Sequence, residues 1–263
     1  MELLPDERLD QVNERLSLIR KTDGLTFGTD AYLLASFVRP NPKGYGVELG
    51  TGTGIVSLLL AARGRLAHID AVEIQSDFAS LADRNVALNG LEDRVAVHCG
   101  DIRDLRPDAF GREFDAVFAN PPYMRTDSGK RNESDHKYLA RHEVCGTIGD
   151  FCGAARRLLK HGGYFYCVWR PDRLTELMTG LSENGLEAKT MAFVHADEDA
   201  EPSMVLVCAK KGGAAGLRVL PPLLLHAAID RQSGRRALSA RAQRIYDTMN
   251  FYEETRNEER KEK

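Results

Sequence analysis

The stretch GYGVELGTGTGIVSLLLAARG (residues 44–64) joins two apolar segments through three closely spaced glycines. GYGVELG predicts a buried strand, and IVSLLLAARG predicts a helix that ends at Gly64. Gly50, Gly52 and Gly54 have no Cβ atom, so the backbone between strand and helix can turn tightly and let a ligand lie against it. A strand, a glycine-rich turn and a helix in this order indicate the first unit of an α/β fold.

Short apolar segments and helical segments alternate through most of the remaining chain. Strands are predicted at residues 44–50, 68–74, 94–101, 114–119, 164–170, 186–195 and 203–211. Helices are predicted at residues 55–64, 77–90, 148–163 and 170–185, the third ending at Gly162 and Gly163. Because no helix separates the last two strands, we expect them to form an antiparallel hairpin at one edge of the sheet. The expected fold class is therefore α/β: a Rossmann-like, seven-stranded, mostly parallel sheet with an antiparallel edge hairpin and helices on both faces.

The two ends of the chain differ in composition from this alternating region. The sequence predicts a polar, helical lead at residues 1–24, one main domain at residues 25–226 and a charged C-terminal tail at residues 227–263. Arginines crowd the first part of that tail, and its end, NEERKEK, is highly charged. We expect a solvated helix that continues into a disordered end, and an RNA-contacting arm is the alternative.

Charge and hydrophobic patterning limit the classes of partner. The formal net charge of −3 argues against a protein that coats nucleic acid through overall positive charge, so a polyanion would have to meet a local patch. The amino terminus lacks the pattern of a signal peptide, and the interrupted apolar segment 217–229 is shorter than the about 20 residues that span a bilayer. We therefore expect a cytoplasmic protein without a membrane partner. The cysteines include no C-x-x-C pair, so no metal site is expected, and nothing in the sequence indicates a particular oligomeric state.

The spacing of the glycines indicates the kind of ligand. A dinucleotide-binding turn has the spacing G-x-G-x-x-G, whereas this turn has G-x-G-x-G and follows Glu48. A carboxylate at this position would repel a pyrophosphate and would favour a ligand that carries an ammonium and a sulfonium. The pattern therefore predicts S-adenosylmethionine as the cofactor in preference to a nicotinamide dinucleotide.

Acidic residues also end the next two predicted strands. Glu73, followed by Ile74, ends the second strand, where a carboxylate can accept hydrogen bonds from both hydroxyls of a ribose. Asp101 and Ile102 end the third strand, where they can accept from the adenine amino group and pack on its ring. Because the carboxyl ends of parallel strands share one edge, we expect these residues to surround one cofactor.

The fourth predicted strand runs directly into the residues NPPY, Asn120–Tyr123. Pro121 and Pro122 end the strand and stiffen the turn that follows. An amine conjugated to a ring is a poor nucleophile, and the Asn120 side-chain oxygen and the Pro121 carbonyl could accept from its two N–H groups and localise its lone pair. Tyr123 could stack on the target base once that base is extruded. We therefore predict Asn120, Pro121, Pro122 and Tyr123 as catalytic residues, with Asn120 also bordering the cofactor.

Taken together, ELGTGTG, AVE, GD and NPPY resemble the class I S-adenosylmethionine-dependent methyltransferases that modify planar amide or amine nitrogens. With FGTDAYLLASF (residues 27–37) ahead of the glycine turn and PPLLLH near the end, the chain is similar to the bacterial tRNA-valine anticodon-loop adenine N6-methyltransferases. The resemblance covers about residues 20–226, and both ends of the chain depart from it. It implies N6-methylation of an adenine in tRNA, with S-adenosylmethionine as cofactor and tRNA as partner.

The resemblance also implies roles for individual residues. It places Gly28, Thr29 and Asp30 at the methionine end of the cofactor. It places Glu48, Gly50 and Gly52 around the cofactor, Glu73 at its ribose and Asp101 at its adenine, with Asn120, Pro121 and Tyr123 holding the target base.

A long polar segment, residues 124–143, follows NPPY and carries the candidate RNA-binding residues Arg125, Lys130, Arg131 and Arg141. Acidic residues in the same segment nearly cancel its positive charge, so a binding element and a solvated loop both remain open.

Two other functions remain open. A protein glutamine N5-methyltransferase of the release-factor type could use NPPY on a side-chain amide, although such enzymes carry a helical domain ahead of the core and fewer than 30 residues precede Phe27 here. A non-catalytic module that binds the cofactor or RNA is the other alternative.

Overall fold

The computed structural model describes residues 3–22, 28–122, 146–227 and 237–252. The strands in these ranges are β1 (Glu7–Gln11), β2 (Ser17–Lys21), β3 (Asn41–Leu49), β4 (Leu66–Glu73), β5 (Val95–Cys99), β6 (Phe114–Ala119), β7 (Leu159–Trp169), β8 (Leu186–His195), β9 (Pro202–Lys211), β10 (Arg218–Val219) and β11 (Leu223–Leu224). The α-helices are α1 (Thr29–Phe37), α2 (Ile55–Ala62), α3 (Ser76–Leu88), α4 (Ile148–Leu158), α5 (Leu174–Glu183) and α6 (Ala240–Thr248). Short 3₁₀ turns lie at Pro107–Phe110 and Pro171–Arg173.

The central sheet has the strand order β10-β8-β9-β7-β6-β3-β4-β5. Strands β3 to β7 pair in parallel, and β9 is antiparallel to both of its neighbours, β7 and β8. The prediction of a mostly parallel sheet with an antiparallel hairpin is confirmed, but the sheet has nine strands in the described residues where seven were predicted. The two-residue strands β10 and β11, which the sequence did not predict, pair in parallel with β8 at that edge.

Helices cover both faces of the sheet, as predicted. Along β6, Ala116 and Phe118 point into a hydrophobic cluster that includes α1 and α2. The alternate residues Val117 and Ala119 point into a second cluster that includes α4 and α5. Such alternation is what a strand buried on both faces requires, since successive side chains leave it on opposite sides.

The predicted helical lead is wrong for the described residues, because β1 and β2 form an antiparallel hairpin. The side-chain amides of Asn85 in α3 and of Asn89 directly after it hold this hairpin. The Asn85 side chain accepts from the N–H of Ile19 at 2.7 Å and donates to its carbonyl at 2.9 Å. Asn89 bonds in the same way to Ser17, at 3.0 and 2.8 Å. The partners that stabilise β2 thus lie more than 60 residues away in sequence, beyond the reach of local periodicity.

The predicted helix end at Gly162 and Gly163 is also wrong, because α4 ends at Leu158 and β7 already begins at Leu159. A Cβ atom on Gly163 would lie 3.0 Å from the Lys160 carbonyl oxygen and 3.1 Å from that of Asp115, so a side chain there would crowd the backbone. The pairing of β6 with β7 shifts register in this region. The two glycines therefore lie in the irregularly paired first part of β7.

A solvated helix was expected near the end of the chain, and the described part of that segment is instead packed onto the sheet. Ala242, Ile245, Met249 and Phe251 are buried in the same cluster as α1. The Arg65 guanidinium adds a hydrogen bond of 2.7 Å to the Met249 carbonyl. Residues 240–252 therefore belong structurally with the domain predicted for residues 25–226, whose boundaries otherwise remain a prediction.

Among the helices that the structure describes, none has both the length and the apolar character needed to cross a bilayer.

Candidate active site

Four of the predicted functional positions lie at one edge of the sheet. The glycine turn follows β3, Glu73 is the last residue of β4, Asp101 follows β5 and Asn120 follows β6. These strands are parallel neighbours, so their carboxyl ends open into one crevice, which is where open α/β sheets bind ligands. The start of α1 reaches the same crevice through Asp30, which bonds to Asn120.

The glycine turn uses left-handed backbone at Gly50, Gly52 and Gly54, with φ of 71°, 57° and 87°. Residues with a Cβ atom are strained in this region, so the turn needs glycine at each of these positions. A Cβ atom on Gly54 would lie 3.4 Å from the Cβ of Ala82 in α3, whereas one on Gly52 would meet nothing within 4 Å. The middle of the turn therefore faces open space in which a ligand can lie against the backbone.

Glu48 lies beneath the glycine turn and is only 2% exposed. Its Oε2 atom accepts from the Thr51 hydroxyl at 2.7 Å, and from both the backbone N–H at 3.1 Å and the hydroxyl of Ser57. Burial raises the pKa of Glu48 to about 7, although these hydrogen bonds act in the opposite direction. The carboxyl group thus ties the turn to the first turn of α2.

Glu73 is 5% exposed and joins the end of β4 to the glycine turn. Its Oε2 accepts from the N–H of Gly52 at 2.9 Å, and its Oε1 accepts from the N–H of Gln75 at 3.0 Å. A carboxylate oxygen has two lone pairs, so each oxygen can accept one further hydrogen bond. The carboxylate is thereby fixed in orientation next to the open part of the turn.

Asp101 forms an ion pair with Arg103 that the sequence analysis did not foresee. Both Asp101 oxygens bond to the guanidinium at 2.5 to 2.9 Å, and Oδ1 also accepts from the Arg103 N–H. The Arg103 side chain lowers the pKa of Asp101. Ile102 is buried in the cluster on the α4 side of the sheet.

Asn120 is oriented by a carboxylate from the other side of the crevice. Its Nδ2 donates to Oδ2 of Asp30 at 2.9 Å. Since an ionised carboxylate only accepts hydrogen bonds, the amide nitrogen must be the atom that faces Asp30. The other Asp30 oxygen accepts from the N–H of Ala31 at 2.9 Å, which fixes the carboxylate at the first turn of α1.

Gly28 leaves the space that this arrangement needs. Its backbone is ordinary and extended, with φ of −105° and ψ of −176°. A Cβ atom built on it would lie only 2.7 Å from Oδ1 of Asp30. A side chain at this position would therefore displace the Asp30 carboxylate.

A cavity of about 860 Å³ opens beside the Asp30 carboxylate. It lies between the start of α1, the 3₁₀ turn after β7 and the start of β9. The lining residues are Gly28, Thr29, Asp30, Arg170, Pro171, Asp172, Glu201, Pro202, Ser203 and Met204. Residues 170–172 and 201–204 were not among the predicted site residues, although the predicted end of a strand at residue 170 was a usable signal.

The family model for the methyltransferase small domain matches residues 22–181, which is more than half of the chain. The chain belongs to this family. The match includes the glycine turn, Glu73, Asp101, Asn120 and the start of α1. The crevice described above is therefore part of a methyltransferase domain.

Curated relatives agree with this membership. The methyltransferase is 32% identical over 183 residues to a tRNA1(Val) (adenine(37)-N6)-methyltransferase of Phocaeicola vulgatus, covering 70% of this chain and 76% of the relative. It is 28% identical over 185 residues to a protein of the same name from Porphyromonas gingivalis, covering 68% of this chain and 72% of the relative.

Solved structures show the same fold at lower identity. A predicted O-methyltransferase from Agrobacterium tumefaciens superposes with a TM-score of 0.67 at 22% identity, covering 85% of this chain and 98% of that one. TYW2 of M. jannaschii in complex with AdoMet gives a TM-score of 0.52 at 15% identity, covering 80% of this chain and 87% of that one. These likenesses concern the fold of the methyltransferase.

The remaining predicted site residues divide into two groups. Pro121 is buried and Pro122 half-buried directly after Asn120, so the stiff corner is where the sequence places it. The predicted base-stacking and RNA-binding residues lie outside the described residues: Tyr123, Arg125, Lys130, Arg131 and Arg141.

Proposed function

We propose that this methyltransferase transfers a methyl group from S-adenosylmethionine to N6 of an adenine in tRNA, within the anticodon loop. The observation that carries the proposal is the hydrogen bond that directs the Asn120 amide nitrogen to Asp30 and so fixes the orientation of the amide, with its acceptor oxygen on the side away from that carboxylate. The curated relatives, which bear the name of tRNA adenine N6-methyltransferases, support the same substrate.

The residues of the crevice fit S-adenosylmethionine. The open space beside Gly52 would admit it against the backbone, and Glu73 has acceptor positions left for two ribose hydroxyls. Ile102 would pack on its adenine, and Asp101 would accept from the adenine amino group while remaining paired with Arg103. When bound, the cofactor supplies an electrophilic methyl group on a positively charged sulfonium.

Asn120 and Pro121 would act on the substrate amine. The N6 lone pair of adenine is delocalised into the ring, so the amine attacks slowly unless its geometry changes. The Asn120 amide oxygen and the Pro121 carbonyl would accept hydrogen bonds from its two N–H groups. These bonds would draw the nitrogen toward a tetrahedral shape. Fixed dipoles of this kind stabilise the transition state without a strong general base.

The cavity beside Asp30 has the size of a nucleoside-binding site. Its volume of about 860 Å³ lies within the roughly 300 to 1,000 Å³ of small-molecule sites. A base inside an RNA stack cannot reach such a cavity, so the target adenine would enter it extruded or from a single-stranded loop. We further propose that Arg125, Lys130, Arg131 and Arg141 contact RNA phosphates, and that the protein works in the cytoplasm, where its tRNA substrate is found.

A methyl-transfer assay with labelled cofactor and unmodified tRNA tests the proposal. Nucleoside analysis of the tRNA should show the label in N6-methyladenosine. Label in the glutamine of a release factor supplied in parallel would favour the glutamine N5-methyltransferase instead. Cofactor binding without label in either substrate would favour a non-catalytic module.

A further inference from the structure

A small basic groove lies at the end of α1 that is remote from the crevice. It is a cavity of about 110 Å³ formed by the end of α1, β8, the segment around β10 and the C-terminal segment. Its positively charged walls are the guanidinium groups of Arg39, Arg218 and Arg241, and its aromatic walls are Phe251 and Tyr252. No acidic side chain from the described part of the chain lines it.

Aromatic rings hold the Arg39 side chain in place. Its guanidinium carbon lies 5.0 Å from the centroid of the Tyr252 ring and 5.8 Å from that of Tyr164. Tyr252 is itself fixed, because its hydroxyl donates to the carbonyl of Phe37 at 3.0 Å. Stacking engages the faces of a guanidinium and leaves the N–H groups along its edge to bind an anion.

The other two arginines differ in their roles. Arg218 is exposed on β10. Arg241 donates to the carbonyls of Pro221 and Pro222 at 3.1 and 3.2 Å, so it also holds one wall of the groove together. Over residues 3–22, 28–122, 146–227 and 237–252, no carboxylate forms an ion pair with Arg39 or Arg218.

The size and charge of the groove select its ligand. Its 110 Å³ correspond to the liquid volume of roughly four water molecules, well below the roughly 300 Å³ at which small-molecule sites begin. It therefore suits a single tetrahedral anion more than a nucleoside. Guanidinium groups match phosphate oxygens in geometry, and Arg39 and Arg218 form no ion pair with a carboxylate of the described residues, in a chain of net charge −3.

We propose that this groove binds a backbone phosphate of the tRNA at a nucleotide other than the methylated one. The inference rests on the proposed tRNA substrate. Helix α1 separates the groove from Asp30, and its nine residues span about 14 Å. A phosphate contact at this distance holds the body of the RNA while the target adenine occupies the cavity.

The salt dependence of tRNA binding tests this proposal. The double variant R39A/R218A should weaken the binding of unmodified tRNA roughly tenfold, as expected when charged hydrogen bonds are lost. Its plot of log K against log salt should be less steep by about 0.7 to 0.9 for each phosphate contact removed. The KM for tRNA should rise while kcat and the affinity for S-adenosylmethionine stay at the wild-type values.

A matched control is the variant R112A. Arg112 also stacks on a tyrosine, with its guanidinium carbon 4.4 Å from the centroid of the Tyr45 ring, but it lies outside the groove. This variant should bind tRNA as the wild type does. Since R39A removes stacking and could unfold the C-terminal segment, the single variant R218A, at an exposed position, serves as a second test with about half of the loss in slope.

The outcomes separate this inference from the proposed function. If the wild type methylates tRNA, and R218A and R39A/R218A show the wild-type Kd for tRNA and the wild-type salt slope, the groove proposal is overturned and the proposed function stands. The groove proposal would also be overturned if these variants lost binding to phosphatidylserine vesicles but bound tRNA as the wild type does. The ligand would then be a lipid headgroup. If the wild type binds tRNA but transfers no label to it, and the variants reduce the salt slope as expected, the groove proposal is supported and the proposed function is overturned. Absence of both binding and label in the wild type would overturn both.

Discussion

The side-chain amide of Asn120 donates from Nδ2 to Oδ2 of Asp30 at 2.9 Å, across 90 residues of sequence. This contact joins the end of the central strand β6 to the start of α1. It fixes the orientation of the amide, because the carboxylate accepts from the nitrogen and the amide oxygen then faces away from Asp30. We regard Asp30 as a positioning residue that acts through Asn120.

The variant Asp30→Asn tests this positioning role. If the amide introduced at this position keeps its oxygen on the Ala31 N–H, its own NH₂ group would face that of Asn120 and favour a reversed Asn120 amide. We expect kcat to fall by about 10- to 100-fold, the equivalent of roughly 1.5 to 3 kcal/mol for a hydrogen bond to a charged group. Asp77→Asn, at the exposed first turn of α3, is the control and should keep full activity. Wild-type kcat in Asp30→Asn would show that the contact does not orient the amide.

The variant Gly28→Ala tests the same contact from the backbone side. Its new Cβ atom would lie 2.7 Å from Oδ1 of Asp30 and displace the carboxylate, although the backbone conformation suits alanine. We expect a clear loss of kcat with a thermal midpoint close to that of the wild type. Gly149→Ala, whose Cβ would meet the Thr147 hydroxyl at an ordinary 3.6 Å, should leave kcat unchanged. Equal activity of the two variants would contradict the account of Gly28.

Glu73→Ala should weaken the binding of S-adenosylmethionine. We expect a loss of about 1.5 to 3 kcal/mol for each hydrogen bond to a ribose hydroxyl, with some added loss because Gly52 is no longer held. At saturating cofactor kcat should recover most of its value, because Glu73 does not contact the substrate amine. Calorimetric titration with the cofactor measures the first effect. If Glu73→Ala leaves the Kd for S-adenosylmethionine unchanged, the ribose does not bind at Glu73.

The stability of the cofactor-free protein should depend on pH through Glu48. Burial raises its pKa from 4.5 to about 7, so the folded chain binds this proton more tightly than the unfolded chain. The stabilisation is fully present below pH 4.5 and is lost as the pH rises through 7, by roughly 3 kcal/mol at most. Denaturation from pH 5 to 8 should therefore show the wild type losing stability relative to Glu48→Gln. The control Glu183→Gln, at an exposed position, should show the same pH dependence of stability as the wild type. If the curve of stability against pH for Glu48→Gln runs parallel to that of the wild type, the raised pKa is contradicted.

Features with a local signature were predictable from the sequence. The glycine turn follows from three glycines between an apolar strand and a helix, and the structure needs left-handed backbone at each of them. The position of Asn120 at the crevice follows from the strand before it and the prolines after it. Their roles toward cofactor and substrate remain predictions.

Features that depend on distant partners were not predictable in this way. The β1–β2 hairpin is held by Asn85 of α3 and by Asn89 directly after it, and Asp30 meets Asn120 across 90 residues of sequence. The glycines at 162 and 163 are typical of a helix end, yet they lie near the start of β7. Gly162 has φ of 82°, and a Cβ atom on Gly163 would lie 3.1 Å from the Asp115 carbonyl oxygen of β6. In each case the deciding contact joins segments that no local periodicity connects.

The proposed methyl transfer depends most directly on the Asn120 amide oxygen as an acceptor for the substrate amine. Single-turnover methylation of unmodified tRNA by Asn120→Ala, with cofactor affinity measured on the same sample, tests it. The account predicts label in N6-methyladenosine for the wild type, a rate lower by about 100- to 1,000-fold for the variant, and a cofactor Kd close to that of the wild type. A variant that methylates at the wild-type rate, or that loses activity only because it no longer binds the cofactor, would contradict it.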